Sequence, residues 1–489
     1  MSDLSANDLE YLANVKPSAR QYAWQQLEFY GFIHFGMNTM TGAEWGTGHE
    51  DPGLFDPDAV DADGWAKSAR DAGMRGLILT AKHHDGFCLW PSRLTSHSVA
   101  ASPWQGGAGD VVRDMSQACA RHGLRFGVYL SPWDRHEPVY GSGRPYDDFF
   151  VGQLTELLTG YGDIFCVWLD GANGSADGRH QEYDWGRYHR TIRSLQPQAV
   201  ISVCGPDVRW CGNEAGHSRA AEWSVVPRAL RDAERTASRS QRADDGAFSR
   251  LERSDDGDLG SRAALREAIA GPLAGQAVWY PAEVDTSIRT GWFHRPGKDH
   301  SVRTSAELFD IYCDAVGGNS ALLLNIPPTR QGAIDEPDRL SLAGLGRHVS
   351  DLRAAAIDDT TLAYSSVGEL ADGGPAVSLE CGGRWSPAPT DARPWLECDL
   401  RRPQPVGGVA LREDIRVGQR IEQVVVRGWD GHEWLELARA ECVGHQRLWR
   451  FEARTLERVR VEFHSFRARP AITTAVVLAA GFDVPSNAL

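Results

Sequence analysis

Polar, ionisable and aromatic side chains follow several short apolar runs in the first two-thirds of the chain. Runs such as GLILTAK and IFCVWL have the continuous apolar character of strands that are buried on both faces. If these strands form a barrel, the side chains at their carboxyl ends meet at one open face, where barrel enzymes carry their sites. The candidates are His34, His83, His84, Asp85, Tyr129, Asp170, Asp207, Arg209, Trp210 and Glu214.

Two carboxyl groups are the sharpest candidates for bond-breaking chemistry. Asp170 ends the run IFCVWLD and precedes Gly171, so we expect its carboxylate at the mouth of the barrel. The alternative is that it only caps the next helix. Glu214 lies in the loop GPDVRWCGNEAG, where the alternative is a solvated loop acid. One carboxylate acting as nucleophile and a second acting first as acid and then as base are what a retaining glycosidase requires.

The histidines favour recognition of hydroxyl groups over binding of a metal. His83 and His84 are adjacent and would face opposite sides of a strand unless the chain is already turning, and no third ligand follows at metal spacing. An imidazole offers one donor and one acceptor to the vicinal hydroxyls of a sugar. We therefore predict neither a metal nor another cofactor. The alternatives are a core histidine for His34 and a turn cap for Asp85.

Tryptophan is over-represented, with 17 residues against 12 tyrosines and 16 phenylalanines. Its flat apolar faces suit the C–H surface of a sugar ring, although a single tryptophan is more often a core residue. We expect five at the barrel mouth: Trp45, Trp90, Trp133, Trp210 and Trp292. We interpret a second group, in the C-terminal region, as structural: Trp395, Trp429, Trp434 and Trp449.

Composition narrows the class of partner. The chain has 51 Lys and Arg against 66 Asp and Glu, a net charge of −15, which argues against nucleic acid or an anionic membrane. Its nine cysteines show no zinc spacing, the N-terminus does not resemble a signal peptide, and no apolar run reaches the length of a membrane helix. We expect a cytoplasmic protein, with a removed export signal left open. The oligomeric state cannot be read from the sequence.

The elements that must position these residues alternate between strands and helices. Repeated strand–helix units predict an α/β fold with a (β/α)8-like barrel. Six strands are clear, a weak seventh is placed at Ala277–Tyr280, and the eighth is not visible. The six are 29–36, 76–84, 125–131, 164–170, 198–205 and 320–327, and helices are predicted at 62–74, 110–123, 147–162, 185–196 and 304–317.

The chain then changes character. Residues 218–274 interrupt the alternation and are predicted as a long loop or a helical insertion beside the active face. A helical connector at 340–356 precedes short alternating strands without a long helix, which predicts an all-β sandwich. We predict the divisions 1–340 for the barrel, 341–357 for the connector and 358–489 for the sandwich. Its strands are predicted at 376–381, 395–400, 406–412, 421–429, 434–438, 448–451, 459–463 and 473–478, with a hairpin turn at Asp430–Gly431.

Several segments together resemble the alpha-L-fucosidases of glycoside hydrolase family twenty-nine. They are GFIHFGMNTMTGAEWG (31–46), LTAKHHDGFCLWPS (79–92), VWLDG (167–171), PAEVDTSIRTGWF (281–293) and GGNSALLLNIPP (317–328). The second is very specific, whereas VWLDG alone would be weak. The matches run in the expected order from about residue 25 to 340. The segment LREDIRVGQRIEQVVV (411–426) looks like the galactose-binding-type β-sandwich that often follows this barrel.

The resemblance implies retaining hydrolysis of terminal alpha-L-fucose, with Asp170 as nucleophile. It implies that the fucose is held by His34, Glu44, Trp45, His83, His84 and Tyr129, with Trp292 facing its C5 methyl group. The GPDVRWCGNE segment and Phe35, where many members carry tryptophan, are similar to the subfamily restricted to alpha-1,3 and alpha-1,4 linkages. In that subfamily the counterpart of Glu214 is the acid/base, and Asp207, Arg209 and Trp210 become candidates for contacts to the neighbouring sugar.

Three hypotheses remain open from the sequence. The first is an alpha-L-fucosidase that acts on alpha-1,3/1,4-fucosylated, Lewis-type oligosaccharides or glycoconjugates. The second is the same enzyme with broad linkage tolerance, acting on alpha-1,2 or aryl fucosides. The third is a catalytically silent fucose-binding protein, which the presence of both Asp170 and Glu214 disfavours.

Overall fold

The apolar runs form parallel strands in the computed structural model of the chain, which describes residues 4–174, 178–240, 257–297, 299–368, 379 and 383–481. Ten strands precede the C-terminal region, and eight of them share one parallel sheet. In chain order they are β1 (Phe29–Ile33), β2 (Gly76–Lys82), β3 (Arg125–Leu130), β4 (Ile164–Leu169), β5 (Val200–Val203), β6 (Arg209–Trp210), β7 (Val225–Pro227), β8 (Ala277–Trp279), β9 (Ala282–Ser287) and β10 (Ala321–Asn325).

The parallel sheet is a nearly closed barrel with the order β5–β4–β3–β2–β1–β10–β9–β6. A single parallel bridge, Ser202 to Val208, brings β5 towards β6 and closes the ring. The predicted seventh strand at Ala277–Tyr280 is wrong as a barrel strand, because β8 pairs antiparallel with β7 in a separate ribbon. The two strands missing from the prediction are β6, only two residues long, and β9, whose Glu283 and Asp285 break the apolar run.

Most of the helices pack against the outside of the barrel through buried apolar residues. In α4 (Ala62–Asp71), which lies within the helix predicted at 62–74, Trp65 and Ala69 are fully buried, and the Asp61 side chain caps the first turn. The other helices are α1 (Ala6–Ala13), α2 (Ala19–Gln25), α3 (Met37–Thr41), α5 (Val111–His122), α6 (Arg144–Gly160), α7 (Trp185–Leu195), α8 (Ala233–Ser240), α9 (Arg262–Ala268), α10 (Ser305–Val316) and α11 (Glu336–Ala354). Helix α11, at the predicted connector, packs Leu345 and Val349 into the barrel core.

The predicted insertion at 218–274 contains short elements rather than a featureless loop. Its described part holds β7, α8 and α9, while residues 241–256 lie outside the described residues. Ala237 of α8 packs beside Gly171, the residue that follows Asp170, so this side of the insertion reaches the end of β4. Elsewhere Val225 and Leu265 pack against Leu12 of α1 in a small hydrophobic cluster.

The C-terminal region is an antiparallel β domain, which confirms the predicted class of a barrel followed by an all-β sandwich. Its strands are β11 (Thr361–Tyr364), β12 (Trp395–Glu413), β13 (Ile421–Trp429), β14 (Trp434–Ala440), β15 (Arg447–Phe466) and β16 (Ile472–Ala479). Two predicted strand pairs are single long strands, β12 and β15, with register shifts where the sequence alternation breaks. The turn at Asp430–Gly431 joins β13 to β14 as predicted. The strand predicted at 376–381 lies outside the described residues, except for Leu379.

Ion pairs formed by two buried glutamates join the β domain to the barrel and to the insertion. Glu28, which precedes β1, is bound by Arg412 of β12 at 2.6 Å and by the His445 ring at 3.1 Å. Glu422 of β13 binds Arg262 of α9 at 2.6 Å.

None of the described helices is long and apolar enough to cross a membrane. Of the nine cysteines, the eight in the described part are buried free thiols, and Cys381 lies outside it.

Candidate active site

A pocket of about 300 Å³ opens at the carboxyl ends of the barrel strands. Ten of the twelve site residues that the resemblance implies line it, at the ends of six barrel strands or in the loops that follow them. They are His34, Glu44, Trp45, His83, His84, Tyr129, Asp170, Trp210, Glu214 and Trp292. The topology of a parallel barrel brings these separate sequence positions to one face.

The floor of the pocket is aromatic. The rings of Phe32, Tyr129 and Trp168 contact one another with centroids 5.2–5.8 Å apart, mostly edge to face. The Trp168 indole N–H is turned down into the barrel, where it donates to Glu283 Oε1 at 2.7 Å. This satisfied donor anchors the ring, so the pocket has a rigid apolar base below its polar walls.

Hydrogen bonds reach both oxygens of the Asp170 carboxylate. Oδ1 accepts the backbone N–H of Ala172 at 3.0 Å, and Oδ2 accepts the Tyr129 hydroxyl at 2.8 Å. Burial raises the pKa of Asp170 to about 6, while these two hydrogen bonds oppose the rise. Helix α7 begins well beyond it and is capped by Asp184, so the alternative that Asp170 caps the next helix is wrong.

Gly171 lets the chain turn sharply behind this carboxylate. Its φ is +76°, and a Cβ at this position would lie 2.3 Å from the Cys204 sulfur. Only glycine fits both the backbone conformation and the space. The strand end therefore presents Asp170 to the pocket while the following residues pass close to β5.

Glu214 and Glu44 both accept a hydrogen bond from Trp292, one from its side chain and one from its backbone. The Trp292 indole N–H donates to Glu214 Oε2 at 3.2 Å, and its backbone N–H donates to Glu44 Oε1 at 2.5 Å. Glu44 also forms an ion pair with Arg295. Trp292 lies with its ring centroid 5.0 Å from that of His34. Glu44 thus holds the loop that carries Trp292, in addition to lining the pocket.

Hydrogen bonds determine which nitrogen of His34 faces the pocket. Its Nδ1 lies 2.8 Å from the Asn325 side-chain oxygen, whose amide nitrogen is committed to Ser287 and to the Trp292 carbonyl. Because an amide oxygen only accepts, Nδ1 carries the proton and Nε2 is left as an acceptor. Burial lowers the pKa of His34 to about 3, so the ring is neutral.

His83 and His84 both reach the pocket because β2 ends at Lys82 and the chain has already turned. The N–H of Gly86 closes this turn on the His83 carbonyl at 3.0 Å. His84 Nδ1 donates to Ser131 Oγ at 2.8 Å, since that hydroxyl donates onward to the Trp133 carbonyl. Burial lowers the pKa of His84 to about 3, and its Nε2 lies 3.7 Å from Asp170 Oδ2.

Asp85 follows the alternative interpretation, that of a turn cap. It is buried and accepts the N–H of Phe87 at 2.8 Å. Within the described residues no group of three or more His, Cys, Asp or Glu side chains is placed to hold a metal ion. The rings of His83 and His84 lie side by side, with centroids 3.9 Å apart, and burial lowers the pKa of both so that they are neutral.

Asp207 and Arg209 do not line the pocket, contrary to expectation. Neighbouring residues of a strand face opposite sides, so β6 can turn Trp210 inward only by turning Arg209 outward. There Arg209 forms a buried ion pair with Glu222 of the insertion. The Asp207 carboxylate accepts the backbone N–H of Ile201 at 2.9 Å and pairs with Arg193, which ties the turn between β5 and β6.

Four of the five tryptophans predicted at the barrel mouth line the pocket, and the prediction is wrong for Trp90. Trp90 is a core residue, because it is 2% exposed and its indole N–H donates to Glu156 of α6. Trp45 stands at the rim, 44% exposed, edge-on to the Trp133 ring. Trp133, Trp210 and Trp292 line the pocket with it.

In the β domain the packing confirms the structural interpretation for one of the four predicted tryptophans. Trp449 lies in the hydrophobic core. Trp395, Trp429 and Trp434 are half-buried on one face of the sheet. Arg460 lies between two of them, with its guanidinium 4.4 Å from the centroids of both Trp395 and Trp434.

Asp285 is the functional-site residue that sequence reasoning missed. It lines the pocket and is 1% exposed, and its Oδ1 accepts the Trp210 indole N–H at 2.8 Å. The signal was present in AEVDTS, where Glu283 and Asp285 alternate at the spacing of inward-facing strand residues. Phe32, Trp168 and Asn173 also line the pocket without having been predicted.

Comparison with known proteins agrees with this geometry. The family model described as alpha-L-fucosidase matches residues 50–352. Alpha-L-fucosidase 1 of Arabidopsis thaliana is 37% identical over 91% of this chain and 84% of its own. The structure of a glycoside hydrolase 29 family member from an unknown rumen bacterium is 32% identical, covers 97% of this chain and 79% of its own, and superposes with a TM-score of 0.77.

A further similar structure contains a ligand. The Ruminococcus gnavus GH29 fucosidase in complex with fucose is 28% identical, covers 96% of this chain and 95% of its own, and superposes with a TM-score of 0.80. The similarity in these three cases extends over the barrel and the β domain together.

Proposed function

The chain belongs to the alpha-L-fucosidase family of glycoside hydrolases, and we propose that it removes terminal alpha-L-fucose from alpha-1,3/1,4-fucosylated glycans with retention of configuration. The observation that carries this proposal is the pocket itself. Asp170 and Glu214 line one small cavity together with neutral imidazole acceptors and tryptophan faces. This combination suits a neutral sugar held between two carboxyl groups.

Asp170 is the nucleophile in this proposal, and Glu214 is the acid/base. The Asp170 carboxylate attacks the anomeric carbon, while Glu214 gives its proton to the leaving oxygen as the glycosidic bond breaks. A water molecule then attacks the glycosyl–Asp170 ester. Glu214 takes the proton of that water, and fucose and both carboxyl groups are released in their starting forms.

The environment of Asp170 supports the nucleophile role. With its pKa at about 6 because of burial, Asp170 is ionised at neutral pH, and Tyr129 stabilises that form by donating to Oδ2. The same oxygen lies 3.7 Å from Nε2 of His84. We expect activity to fall below about pH 6 as this group becomes protonated.

The histidines and tryptophans suit the sugar itself. The Nε2 atoms of His34 and His84 are acceptors, so they can each receive a hydrogen bond from a fucose hydroxyl. Trp292 offers an apolar face for the C5 methyl group, and Glu44 holds its loop. The Ruminococcus gnavus fucosidase, whose structure contains fucose, is similar over nearly the whole chain.

The linkage preference rests on the position of Glu214. This acid is carried by the loop after β6, within the GPDVRWCGNE segment that resembles the alpha-1,3/1,4-specific subfamily, and Trp210 at the end of β6 lines the same pocket. With Asp207 and Arg209 committed elsewhere, broad linkage tolerance is the second candidate. A linkage panel separates the two: faster hydrolysis of Lewis-type trisaccharides than of 2′-fucosyllactose is expected, and equal rates would favour the second.

Leaving-group dependence tests the two catalytic roles. Asp170→Ala should lose essentially all turnover on every fucoside. Glu214→Ala should lose turnover on oligosaccharides, by about 10²–10⁴-fold, yet retain far more on an aryl fucoside whose leaving group needs little protonation. Glu336→Ala, which removes an exposed carboxylate of α11, is the matched control and should behave as the unmodified chain. Equal losses on both substrates in Glu214→Ala would exclude the acid role.

Geometry provides a second check on the same assignment. Retention predicts that the carboxyl groups of Asp170 and Glu214 lie about 5–5.5 Å apart in a complex with a fucose analogue. A crystal structure of that complex with a separation above about 6.5 Å would instead fit an inverting enzyme.

A further inference from the structure

A fully buried carboxyl group lies beneath the aromatic floor of the pocket. Glu283 is in β9, where the barrel register pairs it with Trp210 of β6 and with Ala321 of β10. Trp168 stands between Glu283 and the pocket, because its indole N–H donates to Glu283 Oε1 at 2.7 Å while its ring lines the cavity. A carboxyl group buried this deeply needs hydrogen bonds or a proton.

Three neutral donors surround the two oxygens of Glu283. Besides the Trp168 indole, the Ser202 hydroxyl donates to Oε1 at 3.1 Å, and the Tyr30 hydroxyl donates to Oε2. Tyr30 accepts the indole N–H of Trp24 at 2.9 Å, so its own proton is directed to Glu283. An indole can only donate. Both oxygens of Glu283 therefore act as acceptors.

These donors favour the ionised form of Glu283. Burial raises its pKa, and the hydrogen bonds from Tyr30, Trp168 and Ser202 each oppose that rise. Within the described part of the chain, no lysine or arginine forms an ion pair with Glu283, so its charge is stabilised by hydrogen-bond donors alone. In the interior of a protein such a charge acts on its neighbours more strongly than it would in water.

The Trp168 indole connects this carboxylate to the pocket. Hydrogen-bonded groups in a protein interior polarise one another, so a carboxylate at the N–H makes the face of the ring more negative. The face of an aromatic ring already attracts cations. Trp168 and Asp170 are two positions apart in the chain and both line the pocket, so we expect a sugar attacked by Asp170 to lie against this ring.

We propose that ionised Glu283 is a positioning residue that acts through Trp168 to stabilise the positive charge of the transition state. This inference rests on the proposed function, because hydrolysis of a fucoside passes through an oxocarbenium-ion-like transition state. A neutral substrate gains little from a more negative ring face, whereas the cationic sugar ring gains more. The effect therefore lowers the barrier rather than tightening the binding of the substrate.

Replacing the carboxylate by its amide tests the charge. In Glu283→Gln the amide oxygen can still accept the Trp168 N–H, and the amide nitrogen can donate to the Tyr30 oxygen, so the ring keeps its anchor while the charge is removed. On an aryl fucoside kcat should fall about tenfold, with little change in KM.

The affinity for a charged analogue provides a readout that a merely structural role would not move. An iminosugar of fucose configuration is a cation at neutral pH, whereas fucose itself is neutral. Inhibition constants should show that Glu283→Gln binds the iminosugar about tenfold more weakly, while the binding of fucose changes less than about twofold. A residue that only maintains the shape of the pocket would affect both ligands equally.

Glu156→Gln is the matched control. Glu156 also accepts an indole N–H and a serine hydroxyl, from Trp90 at 2.9 Å and Ser92 at 2.8 Å, but it lies outside the pocket, and neither inhibition constant should change. Thermal unfolding confirms that each variant is folded. If Glu283→Gln does not fold, Trp168→Phe removes the N–H that links the charge to the ring, and the preference for the iminosugar over fucose should fall there too.

The outcomes separate this inference from the proposal on which it rests. Equal losses of affinity for the iminosugar and fucose in folded Glu283→Gln, or no loss for either, would refute the electrostatic role. A preference for the iminosugar that survives Trp168→Phe would refute it as well. If the unmodified chain neither hydrolyses a fucoside nor binds fucose, the proposed function itself fails.

Discussion

The hydrogen bond from Tyr129 to Asp170 opposes the effect of burial on the pKa of this proposed nucleophile. Burial raises the pKa of Asp170, and a hydroxyl that donates to the ionised form lowers it. These opposing effects leave the pKa of Asp170 at about 6, so this carboxyl group titrates within the pH range of ordinary assays. If Asp170 is the nucleophile, as proposed, we expect this single phenolic oxygen to affect the pH at which the enzyme is active.

Removing that oxygen gives a prediction with a defined sign. Tyr129→Phe should raise the pKa of Asp170 above about 6, because the ionised form loses a donor, so the acidic limb of kcat/KM should move to higher pH by about one unit. Tyr161→Phe is the matched control, since the Tyr161 hydroxyl also donates to a buried aspartate, Asp110, but outside the pocket. An acidic limb that is unchanged in Tyr129→Phe would contradict this account.

The direction in which a side chain leaves its strand explains why Arg209, predicted to line the pocket, does not. The sequence made Trp210 and Arg209 equally plausible as site residues. Because side chains alternate along β6, Trp210 lies in the pocket whereas Arg209 binds Glu222 on the other side. A two-residue strand offers no periodicity from which this choice could be read.

At the scale of elements, a buried ion pair fixes the segment after β9 to α11. The Arg289 guanidinium is fully buried and donates to both carboxylate oxygens of Asp338, at 2.8–3.1 Å. Asp335 adds a bond at 3.2 Å. Since Trp292 follows Arg289 by three residues, the packing of α11 determines where this aromatic wall of the pocket lies.

Breaking the pair should affect both stability and binding. Asp338→Ala leaves the Arg289 charge buried without its main partner and should lower the free energy of unfolding by about 3–5 kcal/mol. It should also raise KM, because the Trp292 segment loses its anchor. Urea unfolding and initial-rate kinetics measure the two effects. Glu336→Ala, on the same helix but exposed, should change neither. A stable Asp338→Ala variant with normal KM would mean that Asp335 suffices.

At the scale of the whole molecule, the junction between barrel and β domain depends on ionised Glu28. Burial alone would raise the pKa of Glu28, but the hydrogen bond from His445 and the charge of Arg412 outweigh it and bring the value to about 2. Because folding lowers the pKa of Glu28, its ionised form stabilises the folded chain. This contribution to the free energy of unfolding is fully present above pH 4.5, the ordinary pKa, and is lost as the pH falls towards 2.

Glu28→Gln tests this junction. At pH 7 the variant should be less stable by roughly 3 kcal/mol, the free energy that corresponds to the shift. The difference between variant and unmodified chain should shrink as the pH falls from about 5 towards 2, because Glu28 itself becomes neutral there. Urea unfolding at several pH values measures it. Asp71→Asn, at a surface carboxylate that is 43% exposed, should show little difference at any pH, and a constant gap for Glu28→Gln would exclude the linkage.

The sequence by itself determined the fold class and most of the pocket. Continuous apolar runs identify strands buried on both faces, and the residues after them, such as His84 and Asp170, must lie at the carboxyl face of a parallel barrel. These inferences need only local information, because burial and strand alternation are properties of neighbouring residues.

Only the tertiary structure decided the roles that depend on contacts between distant parts of the chain. Asp285 belongs to the site because the bridge from Ala215 to Thr286 brings a loop 71 positions earlier in the sequence alongside β9. Trp90 leaves the site because Glu156 of α6 receives its indole N–H. The direction and protonation of a side chain are set by neighbours across the fold, and no local pattern in the sequence identifies those neighbours.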